Sequence, residues 1–224
     1  MKDHDAVPLS DFVELPPEQM LVQAESFHDA MTRRHSIRHF SDRPVDQAII
    51  AAAIAAAGRA PSGANHQPWH FCAIGSADKK RQLRELAERE ERAFYEGKAG
   101  DEWLDALSPL GTDANKPYLE HAPWIIAIFG QRKGGIDGDA NQQNYYVPES
   151  VGIAMGFLIV ALHQAGLCML THTPKPMSFL HDLCDRPKNE KPYLLLVVGY
   201  PAEDATVPLH SLKKKPLDQI ASFI

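Results

Sequence analysis

Apolar residues recur along this chain with two different periods, and their alternation divides it into helices and strands. Between residues 17 and 34 the positions Met20, Leu21, Ala24, Phe27, Ala30 and Met31 fall three and four apart, predicting a helix opened by Pro16-Pro17-Glu18. A second helix is predicted over residues 45–58, with Ser41-Asp42-Arg43-Pro44 as its cap and breaker and its alanines allowing close approach of another element. Residues 69–75 read as a strand, and the charged stretch 78–96 as a helix with Leu83, Leu86 and Ala93 facing inward. Two continuous apolar runs, residues 124–130 and 193–199, end in glycine as buried strands do. An apolar helix over 148–166 and a short strand over 167–171 lie between them. Residues 130–146, rich in Gly, Asp, Asn and Gln, read as a mobile surface loop. The order gives an α+β fold with a central mixed sheet flanked by helices.

Composition narrows the setting. No Pro/Gly/Ser-rich linker or repeat divides the 224 residues, so a single domain over 1–224 is expected. A formal net charge of −6 argues against a nucleic-acid partner and makes the short basic patch Lys213-Lys214-Lys215-Pro216 a feature needing a reason. Cys72, Cys168 and Cys184 are odd in number and lack CxxC spacing, which predicts buried free thiols in a reducing compartment. The amino terminus carries no apolar signal segment, and the longest apolar stretch, residues 151–162, falls short of the ~20 residues that span a bilayer. A cytoplasmic protein with no membrane contact is the expectation. The eleven histidines show no HExxH or paired spacing, so no metal site is predicted.

Three segments carry candidate chemistry. Arg34 and Arg38 lie four apart with Ser36 between them, able to direct two guanidinium groups and a hydroxyl at one phosphate, or else forming a solvated basic helix end. No GxGxxG or GxxxxGK[ST] is present, so neither a Rossmann site nor a P-loop is supported. Pro61-Ser62-Gly63-Ala64 has the makings of a tight turn. Glu91, Tyr95 and Lys116 offer an acceptor, a neutral hydroxyl and a cation, the set that holds a free amino acid by its ammonium and carboxylate. On a helix Glu91 and Tyr95 would share a face, although the charge run 88–92 also fits a solvated surface.

Arg34-His35-Ser36-Ile37-Arg38, Ala60-Pro61-Ser62-Gly63-Ala64 followed by Gln67-Pro68-Trp69, and residues 196–201 together resemble the nitroreductase superfamily of FMN enzymes. Within it, Glu91, Tyr95, Lys116 and the basic carboxyl-terminal segment are similar to the iodotyrosine deiodinase group. The resemblance implies an intertwined homodimer of nitroreductase-like fold, with an N-terminal extension over about 1–15 and an active-site lid over about 88–119. It implies a noncovalent FMN held by Arg34, His35, Ser36, Ile37, Arg38, Ser62 and Lys214, with Thr171, His172 and Thr173 along the ring and the Thr173 hydroxyl as the catalytic group at N5. Glu91 would accept from a substrate ammonium, Tyr95 and Lys116 would bind its carboxylate, and the Ala64 N–H would meet its phenolic oxygen. The implied activity is reductive dehalogenation of 3-halotyrosines, with NAD(P)H or a reductase as electron donor. A general NAD(P)H-dependent nitroaromatic or quinone reductase, and a noncatalytic flavin- or halotyrosine-binding protein, are the alternatives. His35, His172 and Lys214 depart from the mammalian pattern of arginine, threonine and arginine, keeping charge at the phosphate while losing bidentate geometry.

Overall fold

In the computed structural model, which describes residues 5–224, the chain falls into two compact units separated between Arg34 and His35. The first four residues of the expected N-terminal extension lie outside the described residues, and the rest of it up to Leu15 is exposed and without regular structure. The first unit is built on α1 (Pro17–Thr32), where Pro17 takes the first helical position because its missing N–H has no partner to lose there.

The second unit holds the remaining elements: α2 (Gln47–Ala57), β1 (Trp69–Ile74), α3 (Ala77–Ala93), α4 (Asp101–Leu107), α5 (Tyr118–His121), β2 (Trp124–Gln131), β3 (Lys133–Gly134), β4 (Asp139–Gln143), α6 (Val147–Gln164), β5 (Cys168–His172), α7 (Leu180–Leu183), β6 (Glu190–Gly199) and α8 (Leu209–Leu212). Four strands form a sheet in the order β1-β2-β6-β5. Every pair of neighbours runs antiparallel, and among the described residues the parallel component of the expected mixed sheet is confined to an isolated bridge between Ser36 and Met169.

The two apolar runs are the central strands, and side chains alternating at a period of two send each run to two cores. Ile125, Ala127, Phe129, Leu195 and Val197 meet Leu83 and Ala87 of α3, Leu119 of α5 and Leu180 of α7. Ile126, Ile128, Leu194, Leu196 and Val198 meet Ile50 and Ala53 of α2 and Val151, Leu158 and Leu162 of α6. Each fully buried side chain of this size stabilises by about 1.5–3 kcal/mol, which is why one sheet can anchor helices on both faces.

Local chemistry sets the element ends. Asp46, rather than the preceding Ser41-Asp42-Arg43-Pro44, caps α2, its carboxylate accepting from the Ala48 N–H at 2.8 Å. The helix α6 extends beyond the apolar stretch 151–162 at both ends and is long and apolar enough by length and composition to cross a membrane. Its Val151, Ala154, Leu158 and Leu162 are buried in the chain, while Gly152 and Gly156 lie on an outer face where an added Cβ would meet nothing within 4 Å. Among the described residues, no helix closes on that pair of glycines. The expected loop over 130–146 contains the exposed hairpin β3–β4, in which Lys133 and Gly134 pair with Gln143 and Asp139.

Candidate active site

A cavity of about 210 Å³ lies where the carboxyl end of β5 faces the segment joining α3 to α5. The helix α3 stops at Ala93, and residues Phe94–Lys98 continue as a single π-helical turn containing Gly97 at φ 151°. Glu91 therefore comes from the last turn of α3, whereas Tyr95 comes from the π turn and not from the same regular helix as expected. Both still line the cavity, with Arg38, Thr112, Lys116 and residues 171–173.

Lys116, the third of the residues expected to hold an amino acid, is carried in by a network that the sequence concealed. Arg84 donates to Glu88 at 2.7 Å, to Glu120 at 3.1 Å and to Asn115 at 3.0 Å, while Glu88 accepts the Lys116 N–H at 2.8 Å. Burial pushes the Glu88 carboxyl up, but bonds from Arg84 and the Lys116 N–H, with the Arg84 and Arg92 charges, hold it below the usual range. The charge run is thus only partly a solvated face: Glu88 pins the 112–116 stretch to α3.

So held, the Lys116 ammonium sits 3.2 Å from the Glu91 carboxylate and donates to Thr112 Oγ1 at 3.0 Å; the two ionic side chains are 3% and 13% exposed. Tyr95 donates its O–H to the Thr112 carbonyl at 3.2 Å, and its ring centroid lies 5.5 Å from the Lys116 ammonium. Burial, opposed by the bond to Thr112 and helped by the Glu91 and Asp113 charges, raises the Tyr95 phenol above its ordinary range. The three groups form a latch in which acid and base neutralise one another.

His172 closes the floor. It is buried, its ring lies edge-on to Tyr118, and Nδ1 is 3.5 Å from the Tyr118 oxygen. With the Tyr118 O–H as donor, the ring proton falls on Nε2, the one buried side-chain polar atom without a partner among the described residues. Burial first, then the Lys116 and Arg38 charges, drives its pKa down to about 3, so the imidazole is neutral at physiological pH.

The turn of residues 62–67 has its own support. Ala64, Asn65 and Gln67 adopt φ of 51°, 56° and 50°, a left-handed region that costs non-glycine residues about 1–2 kcal/mol each. Ser150 Oγ accepts the Gly63 N–H at 3.2 Å, Ser62 Oγ accepts the Gln67 N–H at 2.9 Å, and His66 Nδ1 bonds Asn144 Oδ1 at 3.0 Å. Asn144 in turn ties Gly135 and Gln131 at 2.9 Å each, locking the turn to the hairpin. Gly63 is required by close approach, since a Cβ there would lie 2.6 Å from the Tyr145 carbonyl oxygen. Ala64 is exposed at the tip.

Of the sequence-predicted residues, Arg38, Glu91, Tyr95, Lys116, Thr171, His172 and Thr173 converge on one cavity, whereas Ser62 and Ala64 stand apart from it. Ser36 bridges Met169 on β5, His35 precedes it half-buried, and Ile37 is a core residue, 5% exposed, whose side chain is spent on packing. Arg34 belongs to the first unit. Lys214 is exposed and donates to the Ser211 carbonyl. Thr112, Tyr118, Arg84 and Glu88 were missed. Only the Arg84–Glu88 spacing of four was a readable signal.

The model of the nitroreductase family matches residues 31–200. An iodotyrosine deiodinase of Haliscomenobacter hydrossis is 46% identical over 192 residues, covering 86% of each chain. One of Daphnia pulex is 40% identical, covering 98% of this chain and 73% of its own. Among solved structures, an oxidized iodotyrosine deiodinase bound to FMN and 3-iodo-L-tyrosine superposes with a TM-score of 0.72 at 28% identity, over 88% of this chain and all of the other.

Proposed function

Since the chain belongs to the nitroreductase family, we propose that it is an FMN-dependent reductive dehalogenase that converts 3-halotyrosines to tyrosine and halide. The observation carrying this reading is the convergence of Glu91, Tyr95 and Lys116 in one buried cavity beside residues 171–173. A nitroaromatic reductase has no use for an ammonium acceptor and a carboxylate cation at fixed separation.

The residues present fit FMN. The orphaned Nε2–H of His172 is a buried donor awaiting an acceptor, Thr171 and Thr173 offer hydroxyls at the end of β5, and Arg38 and Lys214 offer cations for a phosphate. When bound and reduced, FMN would supply the two electrons that, with one proton, put hydrogen in place of the halogen as halide leaves. Glu91 accepts from the substrate ammonium, and Lys116 and the protonated Tyr95 donate to its carboxylate. The N–H of Ala64, exposed at the tip of its turn, donates to the phenolate oxygen, and because ortho halogens acidify a phenol this favours halotyrosine over tyrosine.

The turn bearing Ala64 lies outside the clamp cavity of its own chain, which supports a homodimer in which a second copy completes each site. NAD(P)H, or a reductase using it, is the donor we assign, and the cytoplasm the compartment. The test is purification and anaerobic turnover: the protein is yellow from FMN, is bleached by dithionite, and regains colour on 3-iodotyrosine with one iodide and one tyrosine per flavin. Colourless protein that takes up no FMN, or flavin that stays reduced after that addition, overturns the reading.

A further inference from the structure

Cys72 and Cys184 are far apart in sequence yet line one surface cavity of about 1120 Å³ that runs along β1 and α2. Cys72 lies on the edge strand β1, and Cys184 ends α7, whose Leu180 and Leu183 pack in the same core that both cysteines flank. Both thiols are half-buried rather than sealed as the sequence had suggested, so each is held in place and open to a small reagent.

The surroundings give the two sulfurs different characters. Beside Cys184, whose thiol can donate to it, and near the Arg186 and Lys79 charges, Cys72 is held below the ordinary thiol range against the opposing effect of burial. The same bond and burial push Cys184 up. The cations are fixed: Lys79 donates to the Leu183 carbonyl at 3.2 Å, and Arg186 is tied to Glu190 at 2.8 Å. Cys72, on the edge strand and drawn below the ordinary range, is placed as the attacking thiol, and Cys184, lining the same cavity, as the resolving one. Cys168 supplies an internal contrast, half-buried and made less acidic by burial alone.

We propose that Cys72 and Cys184 form a reactive thiol pair, a modification site at which low-molecular-weight disulfides of the glutathione class close a reversible intramolecular disulfide. The Cys72 thiolate attacks one sulfur of the reagent, forming a mixed disulfide and expelling one thiolate. Cys184 then loses its proton, attacks the Cys72 sulfur and expels the second. The sum is one reagent disulfide reduced to two thiols while two protein thiols are oxidised to one disulfide.

The test is incubation of the FMN-loaded protein with oxidised glutathione, followed by alkylation and mass spectrometry. The number of alkylated cysteines falls from three per chain to one, the survivor being Cys168, and dithiothreitol restores all three. In Cys184→Ala the reaction halts with one glutathione retained on Cys72, and in Cys72→Ser both other thiols stay alkylable. Three alkylable cysteines after treatment, a glutathione adduct on Cys168 in place of Cys72, or wild type retaining the mixed disulfide like Cys184→Ala would each overturn the proposal.

Discussion

Glu91→Gln should change the affinity for two substrate analogues in opposite directions. In the free site Glu91 is already engaged, its carboxylate 3.2 Å from the Lys116 ammonium. At that distance, with an effective dielectric of ~20, the gross attraction is ~5 kcal/mol, most of it offset by removing the charges from water. Binding a zwitterion breaks this one pair and makes two, a net gain of one. In the Glu91→Gln variant a zwitterion breaks no ion pair and makes one, also a gain of one, but its ammonium is then buried against a neutral amide. The loss is the cost of that poorly paired charge, about 1.5–3 kcal/mol, or roughly 10- to 150-fold in affinity. A 3-halo-4-hydroxyphenylpropionate, which keeps the carboxylate and lacks the amine, should gain, because Lys116 no longer has to be taken from Glu91. Anaerobic titration of flavin fluorescence with each compound reads both constants, and kcat/KM should fall for halotyrosine chiefly through KM, since Glu91 does not touch the reacting carbon. Equal losses for the two compounds would refute the exchange, and unchanged halotyrosine affinity would refute the clamp itself.

Other consequences follow from the same geometry. Asn144→Ala removes the acceptor of His66 and Gly135 and the donor to Gln131, so urea unfolding should show a loss of about 2–4 kcal/mol. Gly63→Ala drives a methyl into the Tyr145 backbone, and a loss of about 1–3 kcal/mol together with weakened FMN retention is expected; unchanged FMN affinity would mean the turn has no part in the site. His172, at about 3 in the fold against 6.5 unfolded, takes up a proton on unfolding at any pH between, so its contribution is complete above pH 6.5 and drains as pH falls toward 3. His70, lowered mainly by burial, acts with the same sign, and the lowered Glu88 and Glu190 join below 4.5. His172→Gln should therefore flatten the fall in urea midpoint between pH 6.5 and 5, and an unaltered slope would show that His172 is not buried neutral.

The parts of the molecule legible in advance were those whose signal is apolar and continuous. Residues 125–129 and 194–198 had to be central strands, because only burial on both faces suits an unbroken apolar run, and the long helices followed from positions such as Leu83 and Leu158. The hairpin β3–β4 was read as a loop because its residues are exposed and polar, leaving no period to detect. Short helices such as α5 and α7 hold four residues each, too few to show one. The clamp residues were identified as a set, yet their mutual arrangement depends on the π turn at Phe94 and on Glu88 reaching the Lys116 backbone, neither of which leaves a sequence trace. Gly63 marked the turn correctly, but left-handed Ala64 and Gln67 run against local preference and are held by the bonds around them.

That imposed backbone makes the loop proposed to receive the phenolate a borrower of order from elsewhere in the protein. Three residues sit uphill of their intrinsic minima, and what keeps them there is a handful of bonds to Ser150, Asn144 and an exposed two-stranded ribbon. On warming, the ribbon should loosen before the doubly packed sheet does, and the loop should relax with it. Halide recognition would then fade at temperatures where circular dichroism still reports an intact fold, leaving a fully folded protein that has forgotten its substrate.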